Sequence, residues 1–371
     1  MRFFLLLCML FSFNIIARAQ DGATIMQEPA RPSGMRGAAT DLPDISVVGD
    51  LAGKLSNISG DADKDRLSLR SVEFAYQGYV YPRARANVIV AFHKHEGNIE
   101  AEVEEANITF MDIFGGLGAK AGKMLGGFGK VNTVHPHHLP FADQPDAHKN
   151  FMGGHGLMFE GASLNYLLPL PFYAMAEAGW GHAPDAHHHS DEEAAEEAEF
   201  SFANQVYLGR LIVSFPLGRD CELAPGVSYV KGNGAHYLEH TDETGLLGFD
   251  LTYKSFPSTF SRFIIQNELF LLNRKLPVGT LNRYGFYSYL GYKMNPYWSA
   301  GARYDQAQDA LPYEDGTMPP ATSAQSLIIT RNLTETTYLR GQYKYYNEPR
   351  GVFEVFLQLS FGIGPHSHPL E

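Results

Sequence analysis

The stretch Phe353–Phe361, FEVFLQLSF, alternates between two kinds of side chain along its whole length. Successive side chains of a β-strand point to opposite faces of the sheet. The pattern therefore predicts a strand with one face toward an apolar medium and the other toward water. The residues expected on the apolar face are Val355, Leu357, Leu359 and Phe361, and those expected on the other face are Glu354, Phe356, Gln358 and Ser360.

The same period of two recurs from Asp44 onward, in segments of roughly ten residues that are divided by turn residues. Clear examples are 72–81 and 284–292. The pattern predicts an all-β fold, a transmembrane antiparallel β-barrel with one face toward lipid. The tyrosine-rich clusters at 284–292 and 343–346 resemble the aromatic girdles of such barrels, with an ordinary sandwich core as the alternative.

The connections between these segments alternate between short and long. Because barrels have tight periplasmic turns and long outer loops, the alternation predicts about 16 strands with both termini on the periplasmic side. A large soluble sandwich or a solenoid is the alternative, but no fixed-period repeat is visible. Short turns are expected near 82–83, 113–116, 169–171, 216–220, 257–259, 295–296 and 332–335, and long polar connections at 51–70, 127–156, 183–200, 232–245, 274–283 and 308–324.

Composition excludes several other classes of protein. Hydrophobic residues make up 44% of the chain and charged residues 19%, and the mean hydropathy is -0.20. A helical membrane protein would be far more apolar, and a disordered chain far more charged. With 41 acidic against 29 basic residues, nucleic acid is excluded as an expected partner. Cys8 and Cys221 are the two cysteines, so no cysteine-based zinc site is expected.

The N-terminus has the pattern of a secretory signal peptide. A basic start is followed by an apolar run from Phe3 to Ile16 and then by Ala17-Arg18-Ala19. This predicts cleavage before Gln20 and export of the chain. The expected organisation is a signal peptide at 1–19, a flexible segment at 20–43, a barrel at 44–362 and a His-containing tail at 363–371.

Three segments carry a family resemblance. The ending FEVFLQLSF resembles the terminal strand of outer-membrane porins, and Val103–Phe110 and Ala121–Lys130 resemble the phosphate-selective porin superfamily. With the following His135-Pro-His-His138 loop, they are similar to the His-rich porin-like proteins labelled zinc-regulated outer-membrane receptors.

The resemblance implies a channel in the outer membrane of a Gram-negative bacterium, with outer-membrane lipid and the barrel assembly machinery as partners. It also implies a homotrimer, which is common among porins. In general porins one long loop folds inward and narrows the channel. By resemblance the loop at 127–156 has that role, with 141–151 as the inward portion, and an outer lid is the alternative.

Histidines are concentrated in the predicted outer loops. Thirteen of the 15 histidines lie in or beside connections on one side of the predicted barrel. Neutral imidazole binds zinc, copper and nickel, and carboxylates can complete the ligand shell. These loops are therefore candidates for metal capture, and simple solvation is the alternative. The candidate ligands are His135, His137, His138, His148, His155, His187, His188, His189, Asp191 and Glu192.

Glutamates dominate one predicted strand. Glu100, Glu102 and Glu104 share a parity, so they would face the lumen together and favour cations. The parity then shifts at Glu105, which predicts a β-bulge near 104–105. Lys123 and Lys130 are the basic candidates for the pore lining nearby. The alternative is that the glutamates pair with basic residues on neighbouring strands, such as Lys120 and Lys123.

The sequence favours a non-enzymatic channel for passive diffusion of small solutes. Neither G-x-S-x-G nor H-E-x-x-H occurs. The expected preference is for cations, with assistance to zinc or another divalent metal through the His- and acid-rich loops. No cofactor is required for such diffusion. An anion porin of the phosphate type and a non-conducting binding barrel are the alternatives.

Overall fold

The structure is a computed structural model that describes residues 43–59, 61, 64–95, 98–183, 200–237, 240–277, 279–312 and 317–364. Its described part contains sixteen strands and one short α-helix, α1. The strands are β1 Asp44–Ser56, β2 Arg66–Tyr81, β3 Ala84–His95, β4 Asn98–Phe114, β5 Leu117–Leu125, β6 Met158–Leu167, β7 Tyr173–Ala183, β8 Phe202–Pro216, β9 Cys221–Tyr237, β10 His240–Ser255, β11 Arg262–Leu276, β12 Gly279–Lys293, β13 Trp298–Ala307, β14 Thr322–Asn332, β15 Thr337–Glu348 and β16 Phe353–Ile363, and α1 is Asp146–Met152.

The sixteen strands form a closed antiparallel barrel in which each strand pairs with its sequence neighbours. The barrel closes where β1 pairs with β16, with Val47 opposite Ile363 and Ser56 opposite Glu354. Closure leaves no sheet edge, so every strand has a hydrogen-bonding partner on both sides. A closed barrel is one of the two backbone arrangements that satisfy these groups inside lipid. The predicted fold class and strand number are therefore confirmed.

The two faces of the sheet differ in polarity, as the opening stretch predicts. In β16 the side chains of Glu354, Gln358 and Ser360 are buried inside the barrel, while Leu357 and Phe361 are exposed on the outside. Large apolar side chains are exposed in the same way on the other strands, such as Leu327 on β14. An apolar exterior around a polar interior is the arrangement that lipid requires.

The short turns occur at one end of the barrel, where the sequence predicts them. Two of the predicted long connections are wrong, because 232–245 and 274–283 belong almost entirely to strands, and the one predicted at 51–70 is shorter, at 57–65. β9 and β10 run on to a connection at 238–239, and β11 and β12 to one at 277–278. Their polar residues extend the wall of the barrel. The predicted signal peptide and flexible segment, residues 1–42, lie outside the described part, as do residues 365–371.

The connection between β5 and β6, residues 126–157, folds into the barrel and is called the inward loop here. It contains single 3₁₀ turns at Val131–Thr133 and Pro136–His138, followed by α1. α1 packs against β11, β12 and β13. Glycines in the wall make room for the loop: a Cβ on Gly285 would lie 2.7 Å from Cβ of Ala147, and one on Gly248 would lie 2.7 Å from the ring of Phe128. The inward interpretation of the loop is confirmed, and it extends well beyond residues 141–151.

The inward loop brings an apolar core into the lumen. Phe128 stacks on Phe270 with ring centroids 5.9 Å apart, and Phe141 lies 5.6 Å from the ring of Tyr289. Tyr287 is fully buried beneath the loop. The girdle interpretation is therefore wrong for Tyr287 and Tyr289, which point inward. No helix in the described part of the chain has the length and apolar character needed to cross a membrane.

Candidate functional site in the barrel lumen

A β-bulge in β4 turns two adjacent carboxylates into the lumen. In the pairing of β3 with β4, Ile89 faces Glu105 and Val90 faces Val103, so Glu104 is the extra residue. Side chains normally alternate between the faces of a strand, and the extra residue lets two successive ones point the same way. Both Glu104 and Glu105 are buried. The bulge predicted near 104–105 is confirmed.

The inward loop places His135 between these two carboxylates. Its Nδ1 lies 3.0 Å from Oε2 of Glu104, and its Nε2 lies 3.0 Å from Oε1 of Glu105. Burial by itself would lower the pKa of His135. The hydrogen bonds and negative charges of the glutamates overcome that effect and hold the pKa well above its ordinary value. The raised pKa favours the imidazolium, whose Nε2 donates to Glu105 and whose Nδ1 lies against the charged carboxylate of Glu104.

Two further histidines complete this cluster. His137 Nδ1 lies 3.0 Å from Oε1 of Glu73 on β2, and His93 Nε2 lies 3.1 Å from Oε1 of Glu104. Glu73 Oε2 also lies 3.8 Å from Nδ1 of His135. We call these six residues the His–Glu cluster: Glu73, His93, Glu104, Glu105, His135 and His137. It joins the inward loop to the wall formed by β2, β3 and β4.

The cluster borders a cavity of about 520 Å³ that lies between the inward loop and β1–β4, here called the outer cavity. His148 of α1 and His155 also line it. His148 is buried, and neither of its ring nitrogens has a hydrogen-bond partner among the described residues. Burial lowers the pKa of His148 to about 3, so this histidine is neutral. His155 is exposed, and its ring centroid lies 5.9 Å from that of His93.

Ion pairs fix the inward loop to the opposite wall. Both oxygens of Asp143 lie 2.9 Å from Nη2 of Arg303, and Nζ of Lys344 lies 3.0 Å from Oδ2 of Asp143. Arg303 also donates to Asp305, and Lys344 pairs with Asp146. Burial would raise the pKa of Asp143, but the charges of Arg303 and Lys344 hold it well below its ordinary range. Of these residues, the sequence drew attention to Asp143 and Asp146 as acidic residues of the loop, and not to Arg303, Asp305 or Lys344.

Two more cavities lie below the inward loop, toward the end with the short turns. One of about 490 Å³ is lined by Lys120, Lys130, Arg210 and Lys254 together with Glu105, Glu177 and Glu222. The other, of about 1090 Å³, is lined by Arg262, Lys293 and Arg340 together with Glu335. Basic groups outnumber acidic groups in the lining of both. The loop therefore separates an outer cavity rich in carboxylate and imidazole from lower cavities that are more basic.

The predicted pore-lining residues have different environments. Glu104 lies at the His–Glu cluster, whereas Glu102 pairs with Lys123 at 3.2 Å, and Glu100 is exposed nearer the mouth. Lys130 lies 3.7 Å from Asp250 and lines the 490 Å³ cavity. The alternative that strand neighbours neutralise the glutamates thus applies to Glu102, and also to Glu105, which lies 3.3 Å from Lys120.

The predicted metal ligands do not form one group. His135 and His137 lie in the His–Glu cluster, inside the barrel rather than on an outer loop, and His138 faces the 1090 Å³ cavity. His148 and His155 border the outer cavity. Because His135, His137 and His148 are buried against the wall, they are not the loosely held loop side chains that the sequence suggested. His187, His188, His189, Asp191 and Glu192 lie outside the described residues.

Comparison with known proteins places this architecture among bacterial porins. No protein-family model matches the chain. An uncharacterized protein of Aquifex aeolicus (strain VF5) is 29% identical over 311 residues, which are 72% of this chain and 63% of that protein. The chain thus spans less than two thirds of the length of this relative.

Solved structures resemble the barrel over most of its length. An anion-selective porin from Comamonas acidovorans aligns with a TM-score of 0.56 at 10% identity, over 87% of this chain and 100% of the porin. OmpF of Salmonella typhi, in complex with daunomycin, gives a TM-score of 0.55 at 9% identity over 87% and 98% of the two chains. OprB of Pseudomonas putida gives 0.54 at 11% identity over 86% and 94%. The fold is that of Gram-negative outer-membrane porins.

Proposed function

We propose that the protein is a channel in the outer membrane of a Gram-negative bacterium, where small solutes diffuse through it. The observation that carries the proposal is a closed 16-stranded barrel with an apolar exterior and charged cavities above and below the inward loop. A barrel of this size encloses an aqueous lumen unless it is filled. The inward loop leaves cavities on both of its sides, which restricts passage to small solutes.

The proposed preference is for cations, including zinc or another divalent metal. The outer cavity supports it, because Asp50, Glu73 and Glu104 line this cavity together with the single arginine Arg70 and several histidines. The three carboxylates outnumber Arg70 and the protonated His135, and a net negative mouth with low-dielectric walls raises the local concentration of cations. By this proposal the protein resembles the His-rich, zinc-related porin-like proteins in function as well as in sequence.

Reversal potentials test the ion preference directly. The purified barrel would be reconstituted in planar bilayers under a salt gradient, with and without micromolar zinc. The proposal predicts a reversal potential on the cation-selective side and a change in current on addition of zinc. Anion preference without any zinc effect would contradict the preference for cations, and the absence of any current would contradict the channel itself.

Anion passage is the second candidate, and the basic lining of the lower cavities favours it. Lys254 lines the 490 Å³ cavity, where Glu222 is its neighbour on the adjacent strand, and Arg262 lines the 1090 Å³ cavity. The anion-selective porin of Comamonas acidovorans has the same fold. The two candidates differ in which half of the lumen limits the current, so the reversal potential separates them.

A homotrimer is also part of the proposal. OmpT of Vibrio cholerae, whose structure is described in a trimer form, has a similar barrel at a TM-score of 0.55 and 9% identity. Chemical cross-linking of the protein in detergent, followed by denaturing electrophoresis, would give a ladder that ends at three subunits. A ladder that ends at one subunit would contradict the trimer without affecting the channel.

A further inference from the structure

We infer that Glu73, Glu104 and His135 form a binding site for a divalent transition metal of the zinc class, inside the barrel at the outer cavity. One ligand atom of each residue lies within 4.8 Å of the other two. His135 Nδ1 lies 3.0 Å from Oε2 of Glu104 and 3.8 Å from Oε2 of Glu73. In a tetrahedral site with bonds of about 2.0–2.2 Å, ligand atoms lie about 3.3–3.6 Å apart, so small side-chain shifts suffice.

In each of the three residues one donor atom is directed at the proposed metal position, because a residue outside the ligand set hydrogen-bonds to the other donor atom. Glu73 Oε1 accepts from His137, Glu104 Oε1 accepts from His93, and His135 Nε2 donates to Glu105. A metal ion at Nδ1 of His135 would displace the proton that this nitrogen carries in the metal-free cluster, and that proton would leave to solvent. Such outer partners orient metal ligands, and a carboxylate behind a histidine also raises its basicity. Glu105 is itself held by Asn107, whose Nδ2 lies 2.9 Å from Oε2 of Glu105.

A second observation points to a ligand at this place. Glu104 Oε2 is buried, faces Nδ1 of His135, and has no partner with hydrogen-bond geometry among the described residues. His148, also buried and also without such a partner, lines the same cavity. The hydrogen-bonding capacity of buried polar atoms is usually satisfied by the protein or by a bound group. Two such side chains at one cavity therefore indicate that a ligand binds there.

The donor set selects the class of metal. One imidazole and two carboxylates suit zinc, cobalt and nickel, whereas calcium takes six to eight oxygens and magnesium keeps several waters. Three protein ligands leave a coordination position toward the outer cavity, which allows exchange of the ion. The metal would join the inward loop, through His135, to β2 and β4. The inference relies on the proposed function only for the route by which the ion arrives.

Cobalt is the probe for the test, because its visible d–d absorption reports both binding and geometry. The whole protein would be refolded in detergent, freed of metal and titrated with Co²⁺ at neutral pH, and then with Zn²⁺ in competition. Glu104→Gln removes a ligand and should weaken binding more than 100-fold. Glu105→Gln and His93→Gln change outer partners and should weaken it about 10- to 100-fold.

Two matched controls locate the site. Glu177→Gln makes the same chemical change in the 490 Å³ cavity and should leave the spectrum unchanged. A variant with alanine at His187, His188 and His189, the predicted loop ligands, should likewise keep the spectrum, since it changes none of the three proposed ligands. X-ray absorption of the zinc-loaded wild type should show one imidazole with oxygen ligands.

The outcomes are distinct from those of the channel proposal, since binding is measured without a membrane. Equal cobalt spectra for the wild type and Glu104→Gln would overturn the site, as would loss of the spectrum only in the variant with alanine at His187, His188 and His189. If Glu104→Gln fails to refold, the X-ray absorption data of the zinc-loaded wild type decide. A ligand shell with several imidazoles would then refute the assignment of Glu73, Glu104 and His135 as ligands. Metal binding without any conductance would support the metal site and contradict the proposed channel function.

Discussion

Replacement of Asp143 by Asn should release the inward loop from one wall of the barrel. The Asp143 carboxylate accepts hydrogen bonds from Arg303, Gln342 and Lys344, on β13 and β15. Together with Asp146 it forms the loop's charged contacts with these strands, and Arg303 is completely buried. Asn preserves the shape of the side chain but removes its charge.

The size of the expected loss in docking free energy follows from the contacts that remain in the variant. Breaking a buried ion pair usually costs about 3–5 kcal/mol, because one charge is left alone. Here Arg303 keeps Asp305 and Lys344 keeps Asp146, so neither cation loses all its counter-ions. The loss is that of charge assistance in the hydrogen bonds from Arg303 and Lys344, part of which the Asn side chain restores. We therefore expect docking to weaken by about 2–3 kcal/mol, which lowers the ratio of docked to released loop about 30- to 150-fold.

Single-channel recording and limited proteolysis measure this effect. The Asp143→Asn barrel should visit larger conductance levels than the wild type, and protease should cut the chain within 126–157 more rapidly. Glu243→Gln is the matched control, since Glu243 is an exposed carboxylate between Lys231 and Lys275. The reasoning is refuted if the correctly folded Asp143→Asn protein conducts and is digested as the wild type is.

Three other perturbations give separate tests. Gly285→Leu places a side chain where a Cβ already lies 2.7 Å from Ala147, so α1 should leave the wall and proteolysis within 126–157 should accelerate; an unchanged digestion rate would contradict the packing. Burial lowers the pKa of His148 to about 3, so protonation of this side chain is unfavourable while the inward loop is docked. Docking is then fully favourable above about pH 6.5 and weakens by up to about 1.4 kcal/mol per unit as the pH falls toward 3. Recording between pH 6 and 4.5 should show larger conductance levels at the lower pH, and a His148→Leu protein with the same pH dependence would refute this cause. Lys130→Gln with Lys254→Gln removes two positive charges from the 490 Å³ cavity and should shift the reversal potential toward cation preference, whereas no shift would show that this cavity does not govern the current.

The barrel was predictable because lipid imposes a simple rule on every strand. Alternation in 353–361 placed Leu357 outside and Gln358 inside, and the change of parity at Glu105 located the bulge. The mouth was harder to predict. Toward the mouth, the inward face of β10 and β11 carries buried polar residues such as Asp242 and Arg274, and the outward face carries exposed polar residues such as Lys275. Because both faces are polar there, the apolar alternation is lost. Residues 232–245 and 274–283 therefore had the composition of loops although they form strands.

The site could be predicted only in its parts. The sequence singled out Glu104, His135 and His137, but nothing in their spacing showed that a loop residue meets a strand residue thirty positions earlier. Glu73 and Arg303 had no local signal at all. One signal was present in the loop: Phe128, Val131, Leu139, Phe141 and Phe151 are too many apolar side chains for an outer loop in water, and all of them are buried inside the barrel.

The unitary conductance of the wild type, compared with that of a barrel in which 129–154 are replaced by a short Gly-Ser linker, tests the central claim most directly. An aqueous lumen narrowed by the inward loop predicts small discrete current steps for the wild type and several-fold larger ones for the shortened protein. Wild-type bilayers without steps, or equal steps from both barrels, would contradict it.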